Sequence, residues 1–553
     1  MSTKVVLGVI LVLCAFLRFY QLDGYGLWSD EFVTLMIVSA SSYSELIKTC
    51  FEVPQPMPPL YFLLSKIVFD GFSPGETSLR LVSAFFSFLT GYLLFALGRE
   101  LFNAEIGLWA SLLFSVNSTQ IVYAQNARPY ALCLLLSAAS ILSFVKWLRN
   151  RSWRSRLTYV AATTLLFYSH YVFFSLLLIQ NLYFAWSGSR LKARQAPLRR
   201  WKEWLLLQAM VAVSLLPLAS QMWHVLRARH SLNWESKVPR TAEDFFVFWN
   251  PSALGWGISA GALLSLVGFS WMRFRKNRPK SDIRPQPTRG KFIFLGLWYF
   301  VPVTVFYLLL QLAGINLFVE RYLMLASLAT FLILPAAARI FASAWTGRGA
   351  LLIYCLSYIW LVPASLFLSN GQFSQGVPGG NEWRETLTQL GDAGFKADLL
   401  LFQSPFIESN KLDFAEAPKL RDYLSSPLRS FYAKQPPRRF VLLPVHWWIN
   451  TPNHLRFKAE VYSELKNTED FVLLSTQEFW EHFEFWLQSQ AAQECGWVVT
   501  RRFQSSGSLR LLHLSQIRRE PGCSVAVRQR GTTYEKIISC SADMARTCTK
   551  IEC

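Results

Sequence analysis

The sequence predicts a polytopic α-helical membrane protein of about 11 transmembrane helices, with a C-terminal water-soluble α/β domain on the outer side. Three observations carry that prediction. Hydrophobic residues make up 52% of the 553 and charged residues only 16%, where a soluble domain runs near a quarter charged. The acids are unevenly placed, 15 before position 370 and 20 after it. Finally, apolar runs close to the ~20 residues that cross a bilayer recur along the first two thirds, joined by short loops.

Candidate spans fall at 5–20, 80–98, 105–124, 129–148, 157–169, 171–187, 203–222, 252–272, 292–312, 322–342 and 349–368. Their connections set the orientation. "RNRSWRSR" (149–156) holds four Arg and no acid, "RLKARQAPLRRWK" (190–202) six basic residues and no acid, and 273–291 eight basic residues with one Asp. Short loops rich in Lys and Arg mark the cytoplasmic side. The excess of 55 basic over 35 acidic residues therefore reports topology and does not indicate nucleic-acid binding. Parity then requires two crossings between the first two basic loops. This makes 157–169 and 171–187 separate spans and places "YSHY" (168–171) outside. With the N-terminus inside, loop 21–79, the segment around 124–128, loops 223–250 and 313–321, and the tail also lie outside. "PPLYFLLSKIVF" (58–69) is short and opened by two prolines, which suit a helix start; it reads as a helix lying on the membrane surface. The first run reads as an uncleaved span, because Arg18 follows at once and no small-x-small cleavage site appears.

Residues 1–369 thus form a membrane domain and 370–553 an outer domain. The tail opens with a Gly/Pro-rich linker, "NGQFSQGVPGGNEW". "DLLLFQSP" and "RRFVLLPVHWW" read as short buried strands, and "STQEFWEHFEFWLQSQ" as an amphipathic helix. Five of the nine cysteines (495, 523, 540, 548 and 553) fall in the last 60 residues; their spacing fits no zinc ribbon, leaving disulfides or incidental thiols.

The chemistry begins at "YGLWSDEFVTL" (25–35), where Asp30 and Glu31 stand together between Trp28 and an apolar run. Glu45 and Glu52 sit on a predicted amphipathic helix around 41–50 and serve solvation. A carboxylate pair in a partly dry setting acts more strongly on any proton donor or cation nearby.

"RFYQLDGYGLWSDEFVT" (18–34), "PPLYFLLSKIV" (58–68), "GETSLRLVSAFFSFLTGYLLFALGRELF" (75–102), "YAQNARPYAL" (123–132), "FYSHYVFFSLLLIQ" (167–180) and "FVERYLMLASL" (318–328) occur in this order. Together they resemble the GT-C membrane glycosyltransferases, in the branch of the dolichyl-phosphate-mannose-protein mannosyltransferases and the bacterial enzymes that modify lipid A or surface glycans. The resemblance spans roughly 5–340, and "EWRETLTQL" (382–390) resembles a segment after the last span in some members. It implies transfer of one sugar from a polyprenyl-phosphate donor to an extracytoplasmic glycan, lipid or protein acceptor, with inversion. The first carboxylate of the pair, Asp30, takes the general-base role, and loop 21–79 is then the catalytic loop. Glu31 orients an acceptor or holds a cation.

The leaving phosphate calls for preorganised cations. Arg321 in "VERY" is the first candidate, since a guanidinium fork matches phosphate oxygens; Arg128 and His170 are the next donors. A snorkelling role at a span end is the plainer alternative for Arg321. Trp28, Tyr61, Asn126 and Tyr130 are expected to line the substrate cavity. Asn126 stands where many relatives carry Glu, and Met57 where many carry His or Lys, which leaves the donor sugar open. No cofactor is expected: the donor carries one phosphate rather than a nucleotide diphosphate, the outer loops hold no DxD pair, and transfer is predicted to be metal-independent. The expected setting is a bacterial plasma membrane. A lipid-linked sugar transporter or flippase, or a non-catalytic scaffold, is the alternative.

Overall fold

A computed structural model describes residues 2–188, 196–227, 289–315, 317–341, 344–359, 365–372, 380–392, 399–412, 418–433, 439–466, 468, 470–494, 498–503, 509–515, 523–530 and 533–540. The expected span 252–272, most of loop 223–250 and most of the basic stretch 273–291 lie outside these residues, as do Cys495, Cys548 and Cys553. The chain divides into two compact units, Met1–Tyr25 with Ile37–Val377 and Gly26–Met36 with Pro378–Cys553.

The first unit is helical. Its elements begin with α1 (Thr3–Phe19); α2 (Ser29–Val38) enters it only at its C-terminal end, and α3 (Tyr43–Glu52), α4 (Leu60–Gly71), α5 (Glu76–Leu101), α6 (Ala104–Val116), α7 (Ser118–Ala124), α8 (Tyr130–Asn150) and α9 (Trp153–Phe167) follow. After a 3-10 turn at Tyr171–Phe174 come α10 (Ser175–Gly188), α11 (Ala196–Ser214), α12 (Ala219–Arg227), α13 (Arg289–Ala313), α14 (Glu320–Phe341), α15 (Ala344–Ile359) and α16 (Ser365–Asn370). Among the described residues four helices are long and apolar enough to cross a membrane: α5, α8, α13 and Arg321–Arg339 within α14. A fifth arises if Arg199–Ser214 and Leu216–Val225, bent by 43°, form one span. The protein is an integral membrane protein with several apolar spanning helices.

The expected single run 105–124 is two helices broken at Asn117, whose side chain accepts the Gln120 N–H at 3.1 Å and caps α7. α4 has 12 residues, a rise of about 18 Å against a hydrocarbon core of about 30 Å. "YSHY" does separate two helices. Tyr159 of α9 donates to Gln180 of α10 at 3.1 Å. The Tyr159 hydroxyl also accepts from Gln208, Gln180 donates to Ser140 Oγ at 2.9 Å, and Ser140 meets Thr163 at 2.8 Å. Such hydrogen bonds between apolar helices are the usual glue of membrane bundles. α5 and α6 approach at Gly98 and Gly107, where a Cβ on Gly98 would lie 2.5 Å from the Gly107 Cα.

The second unit is α/β. Five strands, β1 (Leu399–Gln403), β2 (Phe440–Leu443), β3 (Asp470–Thr476), β4 (Val498–Phe503) and β5 (Leu509–Ser515), pair in the order β2-β1-β3-β5-β4. β2, β1 and β3 are parallel, whereas β3–β5 and β5–β4 are antiparallel. Every residue of β1, flanked on both sides by parallel strands, is buried, as a continuous apolar run in a parallel sheet should be. Helices α17 (Gly380–Asp392), α18 (Pro418–Leu424), α19 (Pro452–Lys466) and α20 (Gln477–Glu494) complete it; α19 and α20 cover the sheet with Val461, Leu465, Phe479 and Phe483. A separate hairpin, β6 (Cys523–Arg530) and β7 (Thr533–Cys540), pairs Cys523 with Cys540 in register.

Candidate active site

The Asp30–Glu31 pair opens α2, in the segment Gly26–Met36 that clusters with the C-terminal unit. Leu27 N–H donates to the Tyr432 hydroxyl at 2.8 Å, and the Phe32 ring packs 5.8 Å from Trp383 and 6.2 Å from Tyr432. Trp28 acts as the cap of α2. Its carbonyl accepts from Glu31 N–H at 2.9 Å and Phe32 N–H at 3.2 Å, and its own N–H reaches back to Glu31 Oε2 at 3.4 Å. Satisfying the first orphan N–H groups of a helix with a carboxylate is the capping-box device. Glu31, 1% exposed, therefore has a structural task, while Asp30 next to it is half-buried. The Trp28 indole Nε1 is buried with no hydrogen bond among the described residues.

The remaining candidates belong to the helical unit, where three helix ends meet. Arg128 and Pro129 precede α8, whose first residue is Tyr130. Arg321 and Tyr322 stand in the first turn of α14. His170 lies between α9 and the 3-10 turn, and its Nδ1 accepts the Val172 N–H at 3.3 Å. The His170 ring centroid is 5.8 Å from that of Tyr130 and 5.4 Å from that of Tyr322, and the two tyrosines are 6.3 Å apart. The Arg321 guanidinium lies over the Tyr322 ring at 5.3 Å. Burial first, then the Arg128 and Arg321 charges, hold the His170 pKa down to about 3. Arg128, Tyr130, His170 and Arg321 thus form one neighbourhood, facing the positive ends of two helix dipoles.

Tyr61 and Ser83 brace this neighbourhood. The Tyr61 hydroxyl lies 2.8 Å from Ser83 Oγ, which donates to the Arg128 carbonyl at 3.2 Å. Tyr61 is fully buried, so it supports the turn that presents Arg128. Met57 Sδ accepts from Arg128 at 3.6 Å. Asn126 is 1% exposed and neither atom of its amide finds a partner among the described residues.

Sequence reasoning passed over the cations that build the scaffold. Arg18, fully buried, donates to Ser87 Oγ at 2.8 Å and to the carbonyls of Ser115, Phe114 and Cys14 at 3.0, 3.1 and 3.3 Å. Arg80 binds the Leu22 and Tyr25 carbonyls at 2.8 and 2.7 Å. Lys66 binds those of Val38 and Ala40 at 3.1 and 2.7 Å. The available signal was a lone cation inside or ending an apolar run, which seldom persists without acceptors. Among the described residues no three metal-ligating side chains cluster.

Residues 56–214 match the family described as dolichyl-phosphate-mannose-protein mannosyltransferase. No curated protein matches the chain by sequence. Among solved structures, ArnT from Cupriavidus metallidurans in the apo state superposes with a TM-score of 0.52 at 11% identity, over 93% of this chain and 99% of that one. ArnT from the same organism bound to undecaprenyl phosphate gives 0.51 at 12% identity, over 94% and 99%. The apo oligosaccharyltransferase of Archaeoglobus fulgidus gives 0.48 at 13% identity, over 85% and 69%. The likeness shows that the chain shares the fold of ArnT.

Proposed function

We propose that this chain, a relative of the dolichyl-phosphate-mannose-protein mannosyltransferases through residues 56–214 and ArnT-like in fold, is an inverting glycosyltransferase. It moves one sugar from a polyprenyl-phosphate donor to an acceptor outside the cytoplasm. The observation that carries this reading is the Arg128–His170–Arg321 neighbourhood at the N-termini of α8 and α14. Two guanidiniums and two helix N-termini favour an anion, and ArnT binds the chemistry expected here, undecaprenyl phosphate.

In the reaction, Asp30 accepts the proton of the acceptor hydroxyl or amine as that atom bonds to the anomeric carbon. The bond from that carbon to the phosphate oxygen breaks on the opposite face, and the electron pair leaves with polyprenyl phosphate. Arg128 and Arg321 stabilise the added charge. Glu31 holds the start of α2 and so the position of Asp30. The acceptor is a glycan, lipid or protein, and the setting is a bacterial plasma membrane crossed about 11 times. The transport alternative draws less support, because the polar side chains between α8, α9, α10 and α11 satisfy one another.

The test is transfer from a panel of synthetic polyprenyl-phosphate sugars by the purified full chain, with envelope extract as acceptor. Wild type should turn over at least one donor, and Asp30→Asn should lose roughly 10²–10⁴-fold with lipid binding intact. Lipid binding without turnover across the panel would favour the transporter or scaffold.

A further inference from the structure

His170 is placed as an element of an anion site, yet histidine beside a reaction centre can equally serve as a base. The geometry decides between these roles. A backbone N–H is always a donor, so the Val172 N–H, 3.3 Å from His170 Nδ1, requires an unprotonated nitrogen there. The proton of the neutral ring then sits on Nε2. The same bond caps the 3-10 turn Tyr171–Phe174, so the ring is fixed by the backbone that follows it. Among the described residues Nε2 takes no hydrogen bond.

The surroundings oppose a second proton on every side. From the start of α8 come Arg128 and Tyr130, and from the first turn of α14 come Arg321 and Tyr322; Phe173 closes a further edge at 6.2 Å between centroids. An imidazolium would break the bond to Val172 and put a third positive charge beside two guanidiniums.

From this geometry, and resting on the transferase reading above, we infer that His170 is a tautomer-locked Nε2–H donor to the phosphate of the donor lipid and takes no part in accepting the acceptor's proton. Its proton stays on Nε2 throughout: the hydrogen bond strengthens as charge moves onto the leaving phosphate, and no bond to the histidine forms or breaks. A neutral donor beside two fixed cations keeps the charge of the site constant. Binding of a phosphodiester donor, itself singly charged, is then insensitive to histidine titration between pH 5 and 8.

A pair of substitutions reads this directly. The amide nitrogen of glutamine reaches the place of Nε2, whereas that of asparagine reaches only the place of Nδ1. His170→Gln should keep kcat within roughly tenfold of wild type, and His170→Asn should fall about 10²–10³-fold, the effect of losing one donor to a developing negative charge. Equal losses in both variants would overturn the proposal. So would a pH–rate step near 6.5 in wild type that vanishes in His170→Gln. Ring ¹⁵N chemical shifts of histidine-labelled full-length protein, assigned by difference from His170→Gln, provide a readout independent of activity. Shifts of the Nε2–H tautomer are expected, and an Nδ1–H or doubly protonated ring would contradict the inference. If wild type turns over no polyprenyl-phosphate sugar, the transferase reading fails, and the inferred role with it. The ¹⁵N result would still stand as a property of the ring.

Discussion

Two arginine-centred regions of the helical unit use the same side chain for opposite ends. Around Arg18 the guanidinium meets one hydroxyl and three backbone carbonyls within 3.3 Å, and it stacks 4.6 Å above the Phe114 ring. All the partners are neutral, fixed and protein-borne, and they tie the end of α1 to α5 and to the C-terminus of α6. Around Arg128 and Arg321 the cations instead lie near a histidine that burial first, and then their charges, hold neutral, at the N-terminal ends of two helices. One contact of Arg128 there is to the Met57 thioether at 3.6 Å. A buried cation matched by its own scaffold stabilises the fold. In the proposed transferase, cations gathered at helix N-termini prepare a place for an anion. The lesson is that charge in a membrane bundle is classified by its acceptors, not by its depth.

That contrast can be broken by substitution. Arg18→Met removes the donors to three buried carbonyls and a serine, each costing about 1–3 kcal/mol when left unsatisfied; we expect a loss of at least ~3 kcal/mol in unfolding free energy, seen as a lowered Tm in detergent, with residual transfer proportional to the folded fraction. Gly98→Ala sharpens the scaffold side of the comparison. Its new methyl group meets the Gly107 backbone at 2.5 Å, and a cost of about 1–3 kcal/mol follows from overpacking, again read as Tm with no change in donor affinity.

The remaining effect belongs to His170 and appears only on acidification. Its folded pKa of about 3 lies below the ordinary value of 6.5, so the unfolded chain binds the extra proton first and acid favours unfolding. Stability contributed by the neutral ring is complete above about pH 6.5 and is lost as pH falls toward about 3. Wild type should therefore lose Tm relative to His170→Gln on acidification through this window, and the two should run parallel above it.

Much of the scaffold was legible because its signals are local. α5, α8, α13 and α14 are long apolar runs, and α9 and α10 are separate helices divided at "YSHY". The strands around "LLLFQ" and "FVLL" and the helix at 477–494 were equally plain. The break at Asn117 was not, because a single Asn inside an apolar run betrays no capping bond until the Gln120 N–H is placed. Arg18 read as a flank of the first span, since its acceptors come from residues 87, 114 and 115. The hydrogen bond between the Tyr61 hydroxyl and Ser83 was likewise hidden, because its partner lies 22 residues away. The bond from the Trp28 N–H to Glu31 at the start of α2 was not legible either.

The most direct test of the account is the affinity of the purified chain for polyprenyl phosphate, measured for wild type, Arg18→Met and the double variant Arg128→Gln/Arg321→Gln at a temperature where all three are folded. The account predicts wild-type affinity in Arg18→Met and a loss of about 10²-fold or more in the double variant, as befits two charge-assisted contacts to one phosphate. Equal affinity in all three, or an equal loss in both variants, would contradict it.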